Sequence, residues 1–419
     1  MSAKFCSLGC KITGEWYMRG MLLGASLIAL GTVMFLGEVF ISAARGRPLH
    51  NWNDTLVGLG MQAGTGFMSH LGKLYLLALY VPLHSTVAVF EWTGTPLAWL
   101  CAFLTYDFMG YWFHRFSHRT NLGWAVHVVH HQSEELNLAT AVRTAPLRSM
   151  LDWPTLLPMA VLGIPPTVLM ALYILHAAGQ YWLHVEWIPK MGPLGWVLNT
   201  PSHHRVHHGC QEGYQDANYG AHLIVFDRLF GTFVPETEPA HYGVIRPVDG
   251  WDPLRSITEP FAMVWRDSRE WSPMDRIQVW IRPPGWTPVH GNAPRGTPPA
   301  RRTILRPAHL QAAVAHTLIT SVLLLSVQAP LLDEAWQKLG MGLLGIWSLR
   351  VQGLLLDDRA PSLSSELVRA ALITGLALVL PMPLMPAVAA MGVLTAVLAL
   401  SHQNGEPATT EPASTSPSA

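Results

Sequence analysis

Long apolar runs separated by short polar stretches set the pattern of this chain. Gly20 to Gly37 carries no charge, Leu74 to Phe90 is interrupted by Pro82 and His84, and Thr93 to Phe113 holds one acid, Asp107. About 20 apolar residues in a helix cover a bilayer core of roughly 30 Å, so each run is a candidate span. Lys4, Lys11 and Arg19 precede the first run, as in a secretory signal. Gly37-Glu38-Val39-Phe40 offers no small-residue cleavage site, so a retained helix is expected. Between Asp152 and Glu186 no charged residue occurs, yet Pro165-Pro166 sits midway. One helix of that length would reach about 50 Å, and proline breaks a helix interior, so two antiparallel membrane segments turning at Gly163-Ile164-Pro165-Pro166 are predicted. The second ends near His184.

Pro189 to Arg306 is mixed in charge and rich in Pro and Trp, which predicts a soluble cap of loops and short helices. Hydrophobicity returns at Leu310–Leu332, Leu339–Leu356 and Ala370–Leu400, the last broken by Pro381, Pro383 and Pro386. From Ser401 the chain is rich in Ser, Thr and Pro, the composition of a disordered tail. The expected division is 1–92 N-terminal membrane segments, 93–235 histidine-cluster core, 236–306 cap and linker, 307–400 C-terminal membrane helices and 401–419 tail. The fold class is all-α: a polytopic membrane helical bundle with a His-rich cytoplasmic di-metal cap.

Composition agrees. Charged residues make up 13% of the chain, about half the usual 25% of soluble proteins. Basic and acidic residues balance at 27 each, which leaves no footprint for nucleic acid. Cys6, Cys10, Cys101 and Cys210 form no CxxC pair and no disulfide framework.

The candidate chemistry lies in three histidine clusters: His114-x-x-x-His118, His127-x-x-His130-His131 and His203-His204-x-x-His207-His208. Residues at i, i+3 and i+4 share a helix face, so each cluster presents two or three imidazoles to one side, as a metal requires. An HxxxH pair arises about once by chance at this histidine frequency, whereas an HxxHH triplet is expected roughly 0.05 times. Two such triplets therefore carry the argument. Pro201 and Gly209 bracket the third cluster as a short capped helix. His50, His70, His290, His309 and His402 are scattered and carry no site.

If His114 and His118 emerge at one membrane face, an outward and a returning segment between Trp153 and Val185 bring His184 and the third cluster to that same face. The positive-inside rule makes it cytoplasmic. So many imidazoles suit two metals, since a tetrahedral site takes four ligands. Imidazole suits Zn, Cu, Fe and Ni; the lack of cysteine ligands argues against structural zinc and suits a redox-active di-iron pair. Asp107 and Tyr111 share the helical face of His114, and Asp107 is the candidate carboxylate for a ligand's second ring N–H. Asp227 offers a second acid or a local salt bridge. Trp112, Phe113, Tyr181 and Trp182 are lipid-pocket walls or interfacial belt aromatics.

At these residues the sequence resembles the fatty acid hydroxylase and sterol desaturase superfamily of membrane di-iron enzymes, and most closely its alkylglycerol monooxygenase branch. The likeness rests on Asp107 to Arg115, His127 to Arg143, Leu198 to Gly209, Asn218-Tyr219 and Phe226 to Phe233, and reaches from about Asn53 to Arg359. It implies metal ligands at His114, His118, His127, His130, His131, His204, His207 and His208, with His184 a ninth and His203 a further contributor. It implies catalytic roles for Asp107 and Asn218, two iron ions, O₂, a lipid substrate, and a reductant that is tetrahydrobiopterin or an electron-donor protein. One departure is Arg119, where that branch has an acid after the second histidine. The expected reaction is hydroxylation next to the ether oxygen of an alkylglycerol. Alternatives are a sterol, fatty acyl or carotenoid hydroxylase or desaturase and, in another class, a membrane metal-binding or transport protein.

Overall fold

The computed structural model describes residues 29–47, 49–292, 307–327, 334–380 and 385–403. Part of the first expected span, residues 20–28, lies outside the described residues, as do Cys6, Cys10, Pro381, Pro383 and most of the expected tail. Among the described residues the chain is mostly helical, with one two-stranded pair, Trp286–Thr287 against Gly291–Asn292. It divides into two compact units, Met1–Thr303 and Ile304–Ala419.

The first unit opens with α1 (Ala29–Ala44) and the long α2 (Trp52–Val87), followed by α3 (Pro96–Arg119) and α4 (Asn121–His131). Asn51 caps α2 by accepting from the Asn53 backbone N–H, and Thr95 with Pro96 starts α3. Pro82 does not end α2, contrary to the break expected there: it lies close to the helix end, and the Ser85 and Thr86 hydroxyls donate to its carbonyl at 2.8 and 2.9 Å. Thr120 closes α3 and caps α4, its hydroxyl accepting from Gly123 N–H at 3.1 Å. The chain folds back tightly there, and a Cβ on Gly123 would stand 2.6 Å from Ser117 Cα. Only glycine fits.

Short helices α5 (Leu138–Ala141), α6 (Arg148–Leu151) and α7 (Leu156–Val161) lead to α8 (Pro166–Trp182). The break at Pro165-Pro166 falls where the sequence puts it, with Gly163 at a φ of +68°. The first of the two expected membrane segments, however, is the six-residue α7, about 9 Å long and too short to cross a bilayer. Its apolar residues instead build a core with the neighbouring helices, joining Tyr80 of α2, Ala102 of α3, Met159 and Ala160 of α7, and Leu169 and Leu172 of α8. Tyr80 seals this core by donating to the Ile164 carbonyl at 2.6 Å.

The remainder of the first unit holds α9 (Pro201–His208), α10 (Val225–Phe230), α11 (Pro253–Asp267) and α12 (Pro273–Gln278) among loops. This region is tied to α4: the Asn121 amide donates to the Val279 carbonyl at 2.9 Å, and the Gln132 amide to that of Ser256 at 3.3 Å.

The second unit comprises α13 (Pro307–Ser326), α14 (Ala335–Leu356), α15 (Leu363–Val379) and α16 (Met385–Gln403). Among the described residues two helices are long and apolar enough to cross a membrane, His309–Ser326 and Ala335–Leu356; Ala29–Ala44 and Met385–Val397 are shorter apolar helices. Inside the second unit the fully buried Arg369 binds Glu366 at 2.6 Å and also reaches Ser348 and Thr395.

Candidate metal centre

Helix α9 is buried along all eight residues, unusual for a segment of four histidines and an arginine. Its two faces divide the work. Arg205 turns to Glu236, donating through Nε at 2.6 Å and Nη2 at 2.9 Å, and through Nη1 to the Ile188 carbonyl at 2.9 Å. His204, His207 and His208 turn the other way. Such a bidentate pair fixes the helix's rotation and hence the aim of the imidazoles.

Two groups of imidazoles result. One contains His114, His118, His127, His131 and His207; the other contains His130, His184, His204 and His208; within each group the ligand atoms lie within 4.8 Å of one another. Each HxxHH cluster is split between the groups: His127 and His131 go to the first and His130 to the second, while His207 goes to the first and His204 and His208 to the second.

The contacts inside the groups are Nε2 to Nε2. They measure 2.9 Å for His114 and His127, 3.2 Å for His127 and His131, 3.2 Å for His130 and His184, and 3.1 Å for both His184–His204 and His204–His208. The His130–His184 contact cannot be a hydrogen bond, and in the five-histidine group Nε2 of His118 and of His207 is buried with no hydrogen-bond partner. Nδ1 of His114, His130, His184 and His207 faces the main-chain carbonyls of Tyr219, Arg143, Gln180 and Ala217 at 2.9 to 3.2 Å. A carbonyl accepts, so Nδ1 carries the proton and Nε2 is a bare lone pair. Lone pairs converging at such distances repel unless a cation sits among them. With metal–nitrogen bonds of about 2.1 Å, neighbouring ligands are about 3.0 to 3.4 Å apart. The residues present therefore fit a metal ion in each group.

Burial reinforces this. Desolvation first, then neighbouring imidazoles, pushes His127, His130, His131, His204 and His208 well below the usual histidine range. Burial likewise lowers His207 to about 4. Neutral imidazole is the metal-binding form, so no proton must be expelled near neutral pH.

The carbonyls that orient the rings are themselves held. Asp227 accepts from the Tyr219 and Gly220 N–H groups at 2.7 Å each and from the Thr232 hydroxyl at 2.7 Å, fixing the loop whose Tyr219 carbonyl receives His114. Arg143 is buried, ion-paired with Asp54 of α2, and donates through Nε to the Val129 carbonyl at 2.8 Å. Arg119 pairs with Asp216 at 3.1 Å, and Asp216 stands 3.9 Å from His118 Nδ1. An acid thus stands beside His118 although position 119 is basic.

Four sequence expectations are corrected, for Asp107, Tyr111, His203 and Asn218. Asp107 does not serve His114: its Oδ1 accepts from the His222 backbone N–H at 2.9 Å and faces His222 Nδ1 at 3.0 Å, while Oδ2 takes Leu223 N–H at 3.0 Å. Helical spacing identified a shared face, but the loop carrying His222 lies closer. Tyr111 likewise turns from His114, its hydroxyl meeting Thr232 at 3.0 Å. His203 joins neither group, because it sits one helix position off the ligand face and packs on Phe233 with ring centroids 5.4 Å apart. Asn218 is buried away from the imidazoles in the left-handed region, φ 56°, its side chain saturated by the His203 and Val234 carbonyls and the Val234 N–H. Glu186 points away from His184, accepting from Tyr242 at 2.7 Å; helix α8 has already ended at Trp182, so its direction is set by the loop and not by helical phase.

Sequence reading missed Arg143, Asp54, His176 and His222. The last two form with Asp107 a further group of ligand atoms within 4.8 Å of one another. They are 46 residues apart on separate elements, and no local spacing signals them. Among the proposed wall aromatics, Phe113 lines a small cavity with His114, Val126, His127, Arg148 and Leu151. Tyr181 instead donates to the Gly31 carbonyl at 2.9 Å, and Trp112 packs on Phe230.

A family model described as fatty acid hydroxylase matches residues 99–232. Alkylglycerol monooxygenase of Xenopus tropicalis is 37% identical over 266 residues, 61% of this chain and 58% of that protein. The Homo sapiens protein of the same name is 35% identical over the same shares. That of Danio rerio is 32% identical over 373 residues, 82% of this chain and 80% of the relative. The match thus covers somewhat over half the length of the first two. No solved structure matches the chain at a significant level.

Proposed function

The chain belongs to the alkylglycerol monooxygenase family, and on that premise we propose that it is a membrane-embedded, O₂-dependent di-iron enzyme. It hydroxylates the carbon next to the ether oxygen of an alkylglycerol. The observation that carries the reading is the opposed pair of proton-free Nε2 atoms on His130 and His184, 3.2 Å apart, within two groups that together gather nine imidazoles. The five-histidine group holds one iron and the four-histidine group the other; bound there, iron supplies reductive activation of O₂.

The protein's own residues do the rest. The Tyr219, Arg143, Gln180 and Ala217 carbonyls hold the ligand tautomers. Phe113, Val126 and Leu151 form an apolar wall of the small cavity beside His114 and His127. Hydroxylation there yields a hemiacetal that separates into a fatty aldehyde and glycerol. Residues 93–235 are the core of this reading, with membrane segments before and after it, the cap at 236–306, and the site on the cytoplasmic face. Labels on Glu212→Cys and Glu270→Cys, both exposed, should react only from that side.

The reductant is tetrahydrobiopterin or an electron-donor protein; Arg119 departs from the acid of that branch, and Asp216 supplies an acid beside His118 instead. One histidine group draws on α3, α4 and α9, the other on α4, the loop after α8 and α9, and neither on a mid-membrane break, which does not support a transport path. The test is elemental analysis of the purified full-length chain, followed by O₂ uptake and aldehyde release on alkylglycerol with each reductant. Sterol and fatty acyl substrates serve as comparison. Iron-free protein, or O₂ uptake indifferent to ether lipid, would overturn the reading.

A further inference from the structure

We propose that Asp107, His176 and His222 form a third cation site, for a divalent first-row transition ion, separate from the two histidine groups. Asp107 lies in the middle of α3 and is wholly buried, with 0% of its surface exposed. A carboxylate there, in a run otherwise free of charge from Thr93 to Phe113, requires compensation. It receives two backbone N–H groups and the His222 ring.

The His222 contact has a chemical consequence. Its Nδ1 donates to Asp107 at 3.0 Å, so the lone pair is at Nε2, and carboxylate–histidine pairs of this kind present imidazole to metals. That Nε2 is buried with no hydrogen-bond partner, and so is Nδ1 of His176. The two rings lie 5.4 Å apart between centroids. His176 sits on the apolar helix α8 against Tyr106, in a T-shaped ring contact with centroids 5.5 Å apart. One cation between the rings gives both orphaned nitrogens a partner and offsets the Asp107 charge. Two imidazoles, one of them backed by the Asp107 carboxylate, select zinc, iron or manganese over calcium or magnesium.

Position gives the site a purpose. Asp107 lies two helical turns before His114, His176 two turns before His184, and His222 three residues after Tyr219, whose carbonyl orients His114. An ion there clamps α3, α8 and the 218–224 loop at one point, behind three elements that each deliver a ligand or its support.

The experiment is metal counting on the full-length chain in detergent, stripped with chelator and titrated with Zn²⁺. The wild type should saturate at about three equivalents. His176→Leu, which keeps the apolar packing, and independently His222→Gln should each lose about one equivalent and retain the others. Saturation of the wild type at two equivalents overturns the proposal however the variants behave. So does a third equivalent that survives both substitutions, which would be an adventitious ion. The count is independent of the reaction: a chain that turns over alkylglycerol but saturates at two ions keeps the proposed function and loses this site.

Discussion

Nε2 of His130 and Nε2 of His184 face each other at 3.2 Å, while each ring has given its only proton to a main-chain carbonyl. The two residues are 54 positions apart, one at the end of a helix and the other in the loop after α8. Their opposition makes His184 a full member of the four-histidine group.

His184→Ala should therefore reduce bound iron and lower turnover by about two orders of magnitude or more, whereas Glu186→Gln, bonded outward to Tyr242, should cost far less. Iron content and turnover measured together decide it. Near-normal values for His184→Ala would return this residue to the role of an interface histidine.

His203 supplies the opposite case. It lies in the same helix as three ligands yet belongs to neither group, so His203→Gln should keep wild-type iron content while His204→Gln loses iron. Equal iron loss in both variants would mean that the face assignment of α9 is wrong.

Arg143 and Asp54 form a buried ion pair beneath α4. Removing one partner of such a pair leaves an uncompensated charge and typically costs about 3–5 kcal/mol. Arg143→Met should lower the unfolding midpoint strongly and also release the carbonyl that orients His130. Asp54→Asn should be milder on His130. Thermal unfolding in detergent, with iron content as the second readout, checks both.

A pH dependence comes from Glu135, in the turn after α4. Burial first, with Asp54 nearby, raises its carboxyl to about 7 from an ordinary 4.5. Between these values the folded chain binds more protons than the unfolded one, so this group makes stability fall as pH rises through the window, with the full penalty above it. Glu135→Gln should flatten that slope. Midpoints compared at about pH 5 and about pH 8 would refute the assignment if wild type and variant changed in parallel.

Much of the candidate centre was readable in the sequence because helix geometry converts spacing into direction. The i, i+3, i+4 spacing placed His127, His130 and His131 at one helix end, and His204, His207 and His208 on one face. It could not foresee that each triplet would be divided between two groups, since that depends on how α4 and α9 pack against each other. Asp107 was paired with His114 from helical spacing, whereas its partner arrives on a loop 115 residues later. The segment from Trp153 to Val161 looked like membrane from hydropathy alone. Hydropathy does not distinguish apolar residues that meet lipid from those that meet Tyr80 and Ala102.

Thr120 ends one helix and begins the next within a single residue, and that economy makes length itself a constrained property here. Adding one residue between His118 and His127 would turn α4 by about 100° about its axis. His127 and His131 would then leave the five-histidine group while every residue of both motifs was still present. The stretch should therefore tolerate many substitutions at exposed positions such as Arg119, yet no insertion or deletion. A scan of single-residue insertions, read by iron content, would locate the rigid joint without altering one histidine.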